Sequence, residues 1–405
     1  MKIFIKNNLK IYLIFLILVA LVTLITQNCI LLYNKSVFFD NSIPDITDKF
    51  ENILQHECNV DKESTQQDLC LGKLSQLDNE IRLNQFEFHD ECQECLIHNN
   101  QKLIVYHHTF WQINDKLESP GYNFKYRVLL LNIMSYFSTQ NLCCTKLFFW
   151  KLPHFPTKVI QILNKKFHKF IKKDLFEIQD FDLISLCNIS KSMNKSVIYK
   201  YPLCKMDHVI SQNNLVSLSD LVRFVVLDIY GGIYTDGDVI YMKQTNFLWR
   251  KNFAYRWSYT NYINTAVLGI NKNLDDNINK LYDLVFKKSK SLKEIIRNLH
   301  PFSLSLLDLN DDYKNPILKI YHSFLFDPAW LCFDGKVKHL NKEAICGFQE
   351  FNNEKKIDEK KFNPDDFFGG SFTYHLHLVN CGNNIRNDSY FQYFENYFEK
   401  NLRLD

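Results

Sequence analysis

Glycine is scarce in this chain, with 11 in 405 residues. Glycine enters left-handed backbone at no steric cost, so in so glycine-poor a sequence the adjacent pair Gly231-Gly232 marks a position where the backbone needs it. The chain also lacks an internal repeat and a low-complexity linker. Its formal net charge is only +3, with no basic stripe and no zinc-finger spacing, so nucleic acid is not an expected partner. No residue stands out as an obligatory covalent nucleophile or base. What remains is a chain of 46% hydrophobic content, enough to bury one large core or two modest ones.

One long apolar run is present. Residues Ile11 to Ile25 carry no charge, apolar character resumes at Ile30-Leu31-Leu32-Tyr33, and Lys2, Lys6 and Lys10 precede it. A bilayer core needs roughly 20 mostly apolar residues, and flanking lysines favour a cytoplasmic N-terminus. The alternative is a cleavable signal peptide, but no small-x-small cleavage site follows and the run is long for one. Residues 11–33 are therefore expected to be a signal anchor behind a cytoplasmic tail of residues 1–10. Residues 34–100 then form a lumenal stem and residues 101–405 the folded lumenal domain. No second span of comparable length follows. The 12 cysteines suit an oxidising lumen, where most would pair. Cys92-x-x-Cys95 lacks the second pair that a zinc site needs. Sequons at Asn34, Asn188, Asn194 and Asn387 fit the same address, a Golgi membrane protein of type II topology.

The chemistry concentrates between Ser219 and Asp238. Ser219 reads as an N-cap with Asp220 in the first turn of a helix. The apolar run from Leu221 to Tyr230 is too continuous for a surface helix, and Asp220 and Arg223, three apart, share a face. Gly231 suits the left-handed position just past the helix. From Ile233 a strand is expected, with Tyr234, Asp236 and Asp238 pointing one way. Two carboxylates this close repel unless a cation or proton intervenes. Hard cations such as Mn²⁺ or Mg²⁺ accept carboxylate and diphosphate oxygens together. An isolated Asp-x-Asp is most often a solvated turn; here it comes with a buried helix, Gly-Gly and Tyr234 in one block.

This block resembles the signature of the DXD sugar transferases of glycosyltransferase family 32, among them α-1,4-galactosyltransferases and α-1,4-N-acetylglucosaminyltransferases. The resemblance is dense from Ser219 to Asp238 and looser from about Lys102 to Asn380. It implies an α/β fold of the GT-A kind, a Rossmann-like mixed sheet flanked by helices, with the donor at the carboxyl ends of the strands. It further implies a retaining, metal-assisted transfer of a hexose or N-acetylhexosamine from a nucleotide-sugar, UDP-Gal or UDP-GlcNAc, to a glycolipid or glycoprotein glycan. Asp238 would chelate Mn²⁺ (or Mg²⁺), and Asp236 would reach the donor ribose and a metal-bound water. Asp220 and Arg223 would hold the donor sugar, and Tyr234 would pack beside it.

Three further segments extend the resemblance. Leu103 to Tyr106 reads as a short parallel strand, after which His107 or His108 and Trp111 would sit near the base and ribose; packing roles are equally open to them. Asn264-Thr265-Ala266-Val267-Leu268-Gly269-Ile270 reads as a strand bordering the donor sugar, with Asn264 at the donor. Ser371 to Asn380 alternates like an edge strand, and His377 and Asn380 align with the family's closing His and Asn, where they would join the metal shell. Val379 replaces the family's Trp there, and His300-Pro301 replaces its Gly-Pro. Two other readings stand beside this one: a transferase-like lectin or chaperone without catalysis, and an Asp-x-Asp phosphatase with Asp236 as nucleophile.

Overall fold

In a computed structural model the described residues are 97–98, 101–102, 104–113, 120–140, 142–193, 196–205, 215–245, 248, 252–257, 262–272, 278–287, 294, 317–321, 323–329, 351, 353–354, 362, 364, 371–378 and 385–402. The expected anchor at residues 11–33, most of the stem, residues 300–301 and Asn380 lie outside them. Among the described residues no helix is long and apolar enough to cross a membrane.

A seven-stranded mixed sheet organises the chain. After a two-stranded hairpin, β1 (Ile97–His98) and β2 (Gln101–Lys102), come β3 (Val105–Phe110), β4 (Thr145–Lys151), β5 (Phe176–Asp180), β6 (Gly232–Asp236) and β7 (Val239–Tyr241). Then follow β8 (Phe253–Arg256), β9 (Ile263–Ile270), β10 (Lys319–Tyr321) and β11 (Thr373–His375). The spatial order of the large sheet is β10-β8-β9-β6-β3-β4-β5. Its pairs are parallel except β6–β9 and β8–β9, so β9 alone runs against the other strands. β11 pairs antiparallel with β7 in a separate ribbon.

The helices are α1 (Pro120–Thr139), α2 (Thr157–Lys166), α3 (His168–Lys172), α4 (Leu183–Ser192), α5 (Leu215–Tyr230), α6 (Ile278–Tyr282) and α7 (Tyr390–Lys400). They cover the sheet on both faces, which is why its strands are apolar at nearly every position. Along β4, Leu147 and Phe149 join one core with Phe124, Ile133 and Phe137 of α1. Phe148 and Trp150 join the other, with Leu221, Val225 and Ile229 of α5. On the first face α7 is tied to α1 by Arg127, which donates through Nε to Glu395 at 3.0 Å and through Nη2 to Gln392 at 2.8 Å. A disulfide between Cys187 and Cys204 joins α4 to the 3₁₀ turn Pro202–Lys205; Cys143 and Cys144 are disulfide-bonded as well.

Two local expectations need correcting. α5 begins at Leu215 rather than after Ser219, because Leu218 packs into the same core as Leu221. Ser219 is thus inside the helix, and its hydroxyl serves Arg223 instead of a cap. β3 runs to Phe110, well past Tyr106, so His107 and His108 are central-strand residues and not part of a strand-end loop. The glycine reading holds: Gly231 has φ +67° and its N–H donates to Leu227 O at 2.9 Å. Gly232, at φ +99°, passes so close to the Tyr106 carbonyl that a Cβ would collide with it.

Candidate active site

The strand order reverses between β3 and β6. β3 is followed by β4 on one side, and β6 lies on its other side, so the ends of β3 and β6 flank a topological switch point, where open α/β sheets bind ligands. Phe110 and Asp236 are register partners there. Trp111 follows Phe110 and packs on the turn after β6, where a Cβ on Gly237 would run into its ring. The middle residue of Asp236-Gly237-Asp238 is therefore small because Trp111 occupies its side-chain space. The turn is pinned from α1: Asn132 Nδ2 donates to Val239 O at 2.7 Å, and Ser135 Oγ accepts from Tyr241 N at 3.0 Å.

Arg223, buried in α5, organises one half of the site. Its Nη2 lies 2.8 Å from Asp236 Oδ1 and 3.1 Å from Asp220 Oδ1, Nη1 donates to Thr265 Oγ1, and Nε donates to Ser219 O at 3.3 Å. Tyr234 donates its hydroxyl to Asp236 Oδ1 at 3.1 Å, and its ring lies 5.1 Å beneath the guanidinium. Arg223 and Tyr234 thus spend their polar atoms inside the protein and orient Asp236. Asp220 Oδ2 is buried with no hydrogen-bond partner among the described residues. Burial pushes the Asp220 carboxyl up to about 7, against the pull of Arg223 and with help from Asp236.

Asp238 organises the other half. Its Oδ2 accepts from Leu378 N at 3.2 Å, and its Oδ1 lies 3.3 Å from His375 Nε2. The β11–β7 register sets this contact by placing His375 opposite Val239, one residue beyond Asp238. Oxygens of Asp236 and Asp238 and a ring nitrogen of His375 lie within 4.8 Å of one another. Burial raises the Asp236 carboxyl, opposed by Arg223 and reinforced by Asp238. Burial would raise Asp238 too, but His375, His377 and the Leu378 N–H bring it down to about 2. Like carboxylates sharing one site split in this way, one held ionised and the other pushed up.

The other expected donor and metal residues divide. His375, not His377, stands at Asp238: the Nε2 of His377 is 2.6 Å from Oδ2 of the buried Asp327. His108 is no donor contact, since its Nε2 is bonded to Gly231 O at 2.9 Å and its Nδ1 accepts from Trp150 Nε1 at 3.1 Å. Burial lowers it to about 4, so it is neutral. Asn264 turns its Oδ1 onto its own strand, accepting from Ala266 N at 2.8 Å, and its neighbour Thr265 is the residue that reaches Arg223. Trp111 keeps its place at the turn, its Nε1 buried with no partner among the described residues. Sequence reading overlooked Thr265, His375 as the nearest histidine, and Asp327. The alternation of the final segment was a signal for His375; for Asp327 there was none.

Residues 154–254 match the family described as "Glycosyltransferase sugar-binding region containing DXD motif". The matched stretch includes Asp236-Gly237-Asp238. No curated protein matches the chain. Among solved structures the chain is similar to the PaToxG glycosyltransferase, with 19% identity and a TM-score of 0.31 over 51% of this chain and 65% of that one. The chain thus spans less than two thirds of that structure.

Proposed function

We propose that this protein is a metal-assisted, retaining glycosyltransferase of GT-A architecture. It moves a hexose or N-acetylhexosamine from a UDP-sugar, UDP-Gal or UDP-GlcNAc, to a glycolipid or glycoprotein glycan. The observation that carries this reading is the meeting of Asp236, Asp238 and His375 at the switch point of the sheet. Their chemistry fits a cation: two carboxylates close enough to repel, with one imidazole nitrogen beside them. Oxygen ligands suit Mn²⁺ and Mg²⁺ alike, and the imidazole tilts the set toward Mn²⁺. When bound, such an ion neutralises charge on the departing diphosphate.

The chain's own residues supply the rest. Asp238, held ionised and fixed by the Leu378 N–H, and His375 would hold the ion. Asp236, clamped by Arg223 and Tyr234, faces the same point and would orient the ribose. Asp220 Oδ2, buried without a partner among the described residues, is an acceptor ready for a sugar hydroxyl, and Trp111 Nε1, likewise without a partner among them, is a donor for the nucleoside. Preorganised groups of this kind lower the barrier because they need not reorient as charge develops. In this reading the acceptor hydroxyl attacks from the face the diphosphate leaves and gives its proton to a diphosphate oxygen, with no covalent enzyme intermediate. Residues 11–33 would anchor the protein in the Golgi membrane with the site in the lumen.

The test is a donor screen of the purified protein with Mn²⁺, reading release of UDP or GDP. UDP release and loss of roughly 10²-fold or more in Asp238→Asn are expected, with folding retained because an Asn oxygen still accepts from Leu378 N. Inversion at the product anomeric carbon, read by NMR, would end the retaining assignment. A lectin or chaperone would give no turnover and no rise in melting temperature with UDP and Mn²⁺, whereas a bound ligand must stabilise the fold. A phosphatase would release phosphate without a nucleotide-sugar; the clamping of Asp236 Oδ1 by Arg223 and Tyr234 argues against Asp236 as a free nucleophile.

A further inference from the structure

Asp327 is fully buried and distant in sequence from every other member of the site. Its Oδ2 faces two histidines at once, 2.6 Å from His377 Nε2 and 3.5 Å from His375 Nδ1. Its Oδ1 is buried with no hydrogen-bond partner among the described residues. The two imidazoles stack with centroids 3.8 Å apart. The backbone beneath is stitched to the same ribbon: Phe372 N donates to Leu325 O at 2.6 Å, and Thr373 Oγ1 donates to Phe326 O at 2.8 Å. The carboxylate is therefore fixed relative to β11.

We propose that Asp327 is a positioning residue that orients His375 for the cation, an inference that rests on the reading of Asp236, Asp238 and His375 as its cradle. A carboxylate can only accept hydrogen bonds. A ring nitrogen that faces one keeps its proton, and the neutral ring's lone pair then sits on the other nitrogen. Asp327 stands at Nδ1 of His375 and Asp238 at Nε2, so a cation that takes the place of the Nε2 proton would leave Asp327 holding the proton on Nδ1. The Tyr255 hydroxyl is also 3.5 Å from Nδ1. A hydroxyl both donates and accepts, so the tautomer is set by the carboxylate. His377, stacked on His375 and bonded to the same oxygen, blocks rotation of both rings. A carboxylate behind a ligating histidine commonly fixes its tautomer and ring orientation, and its loss costs about 10–100-fold in metal affinity.

The experiment measures Mn²⁺ binding to the full chain by electron paramagnetic resonance of the free ion. It also follows the imidazole nitrogen coupling to bound Mn²⁺ by pulsed resonance at saturation. Asp327→Ala should raise the Mn²⁺ dissociation constant about 10–100-fold and weaken the nitrogen coupling, which a purely structural role would leave intact in the folded, saturated protein. Asp327→Asn, which keeps shape and one acceptor oxygen, should fall between Ala and wild type and serves if the Ala variant does not fold. Affinity within twofold of wild type in both variants, while Asp238→Asn and His375→Ala lose binding, would overturn the positioning role and leave the site reading standing. Wild type and Asp238→Asn binding Mn²⁺ equally would overturn the site reading, and this inference with it.

Discussion

Two pairs of histidines lie in the central part of this molecule, and their surroundings make them different chemical objects. His107 and His108 are on β3, in the middle of the sheet, with aromatic rings on both faces: His107 against Tyr136 and Tyr241, His108 stacked on Phe148. His375 and His377 are on and just beyond β11, against the carboxylates of Asp238 and Asp327. Burial holds His108 near pKa 4. At His375 burial pulls the same way, but Asp238 and Asp327 outweigh it and lift the ring to about 10. Residue type and burial alone do not tell a ligand from a packing element; what the two nitrogens face does.

Exchanging one histidine of each pair for phenylalanine gives the largest contrast. His375→Phe removes the ring nitrogen 3.3 Å from Asp238 Oδ1, so Mn²⁺-dependent UDP release should fall on the order of 10²-fold. His108→Phe touches nothing at the switch point but leaves Gly231 O and Trp150 Nε1 without partners. Each such buried group costs about 1–3 kcal/mol, so its effect should appear in the melting temperature, with turnover near wild type at temperatures where it is folded. The comparison breaks if His108→Phe loses turnover as deeply as His375→Phe while remaining folded.

The same contrast explains how far the sequence could be read. Gly231, the buried helix and the strand carrying Asp236 were legible because local chemistry decides them: the left-handed turn needs glycine, and an apolar run with no polar face is buried. The start of α5 was misread because Ser219 looks like a cap, and only tertiary packing of Leu218 shows that the helix is already under way. His107 and His108 were read as the end of a strand because two polar residues interrupt an apolar run. The sheet instead absorbs them by supplying Gly231 O, Trp150 Nε1 and Tyr241 as partners. Whether His375 or His377 reaches Asp238 depends on the pairing of β11 with β7, which alternation within one segment does not encode. Asp327 comes from a separate part of the chain and carries no spacing at all.

A smaller effect sharpens the comparison through acid. His108 has a folded pKa near 4 against an ordinary value of 6.5, so between these values the unfolded chain binds more protons than the folded one. Its contribution to stability is present above pH 6.5 and is lost as pH falls toward 4. Each pKa unit is worth about 1.4 kcal/mol, so the loss is on the order of 3 kcal/mol. Urea unfolding at pH 7 and pH 4.5 should show this drop in wild type, and His108→Asn should show a shallower one. Equal drops in the two proteins would mean that His108 does not stay neutral in the fold.

The smallest effect separates the two bonds that hold His108. Trp150→Phe removes the indole N–H that donates to Nδ1, together with part of a buried ring, and leaves the Gly231 contact. The remaining bond still requires a proton on Nε2, because a carbonyl oxygen can only accept. The tautomer should therefore survive, while stability should fall by about 1 kcal/mol for the lost bond plus the cost of the cavity left by the smaller ring. Nitrogen NMR of the imidazole reads the tautomer and urea unfolding reads the stability. A proton moved to Nδ1 in this variant would mean that the Trp150 bond, rather than the Gly231 carbonyl, governs the ring, and that the turn leading into Asp236 is held less firmly than its geometry implies.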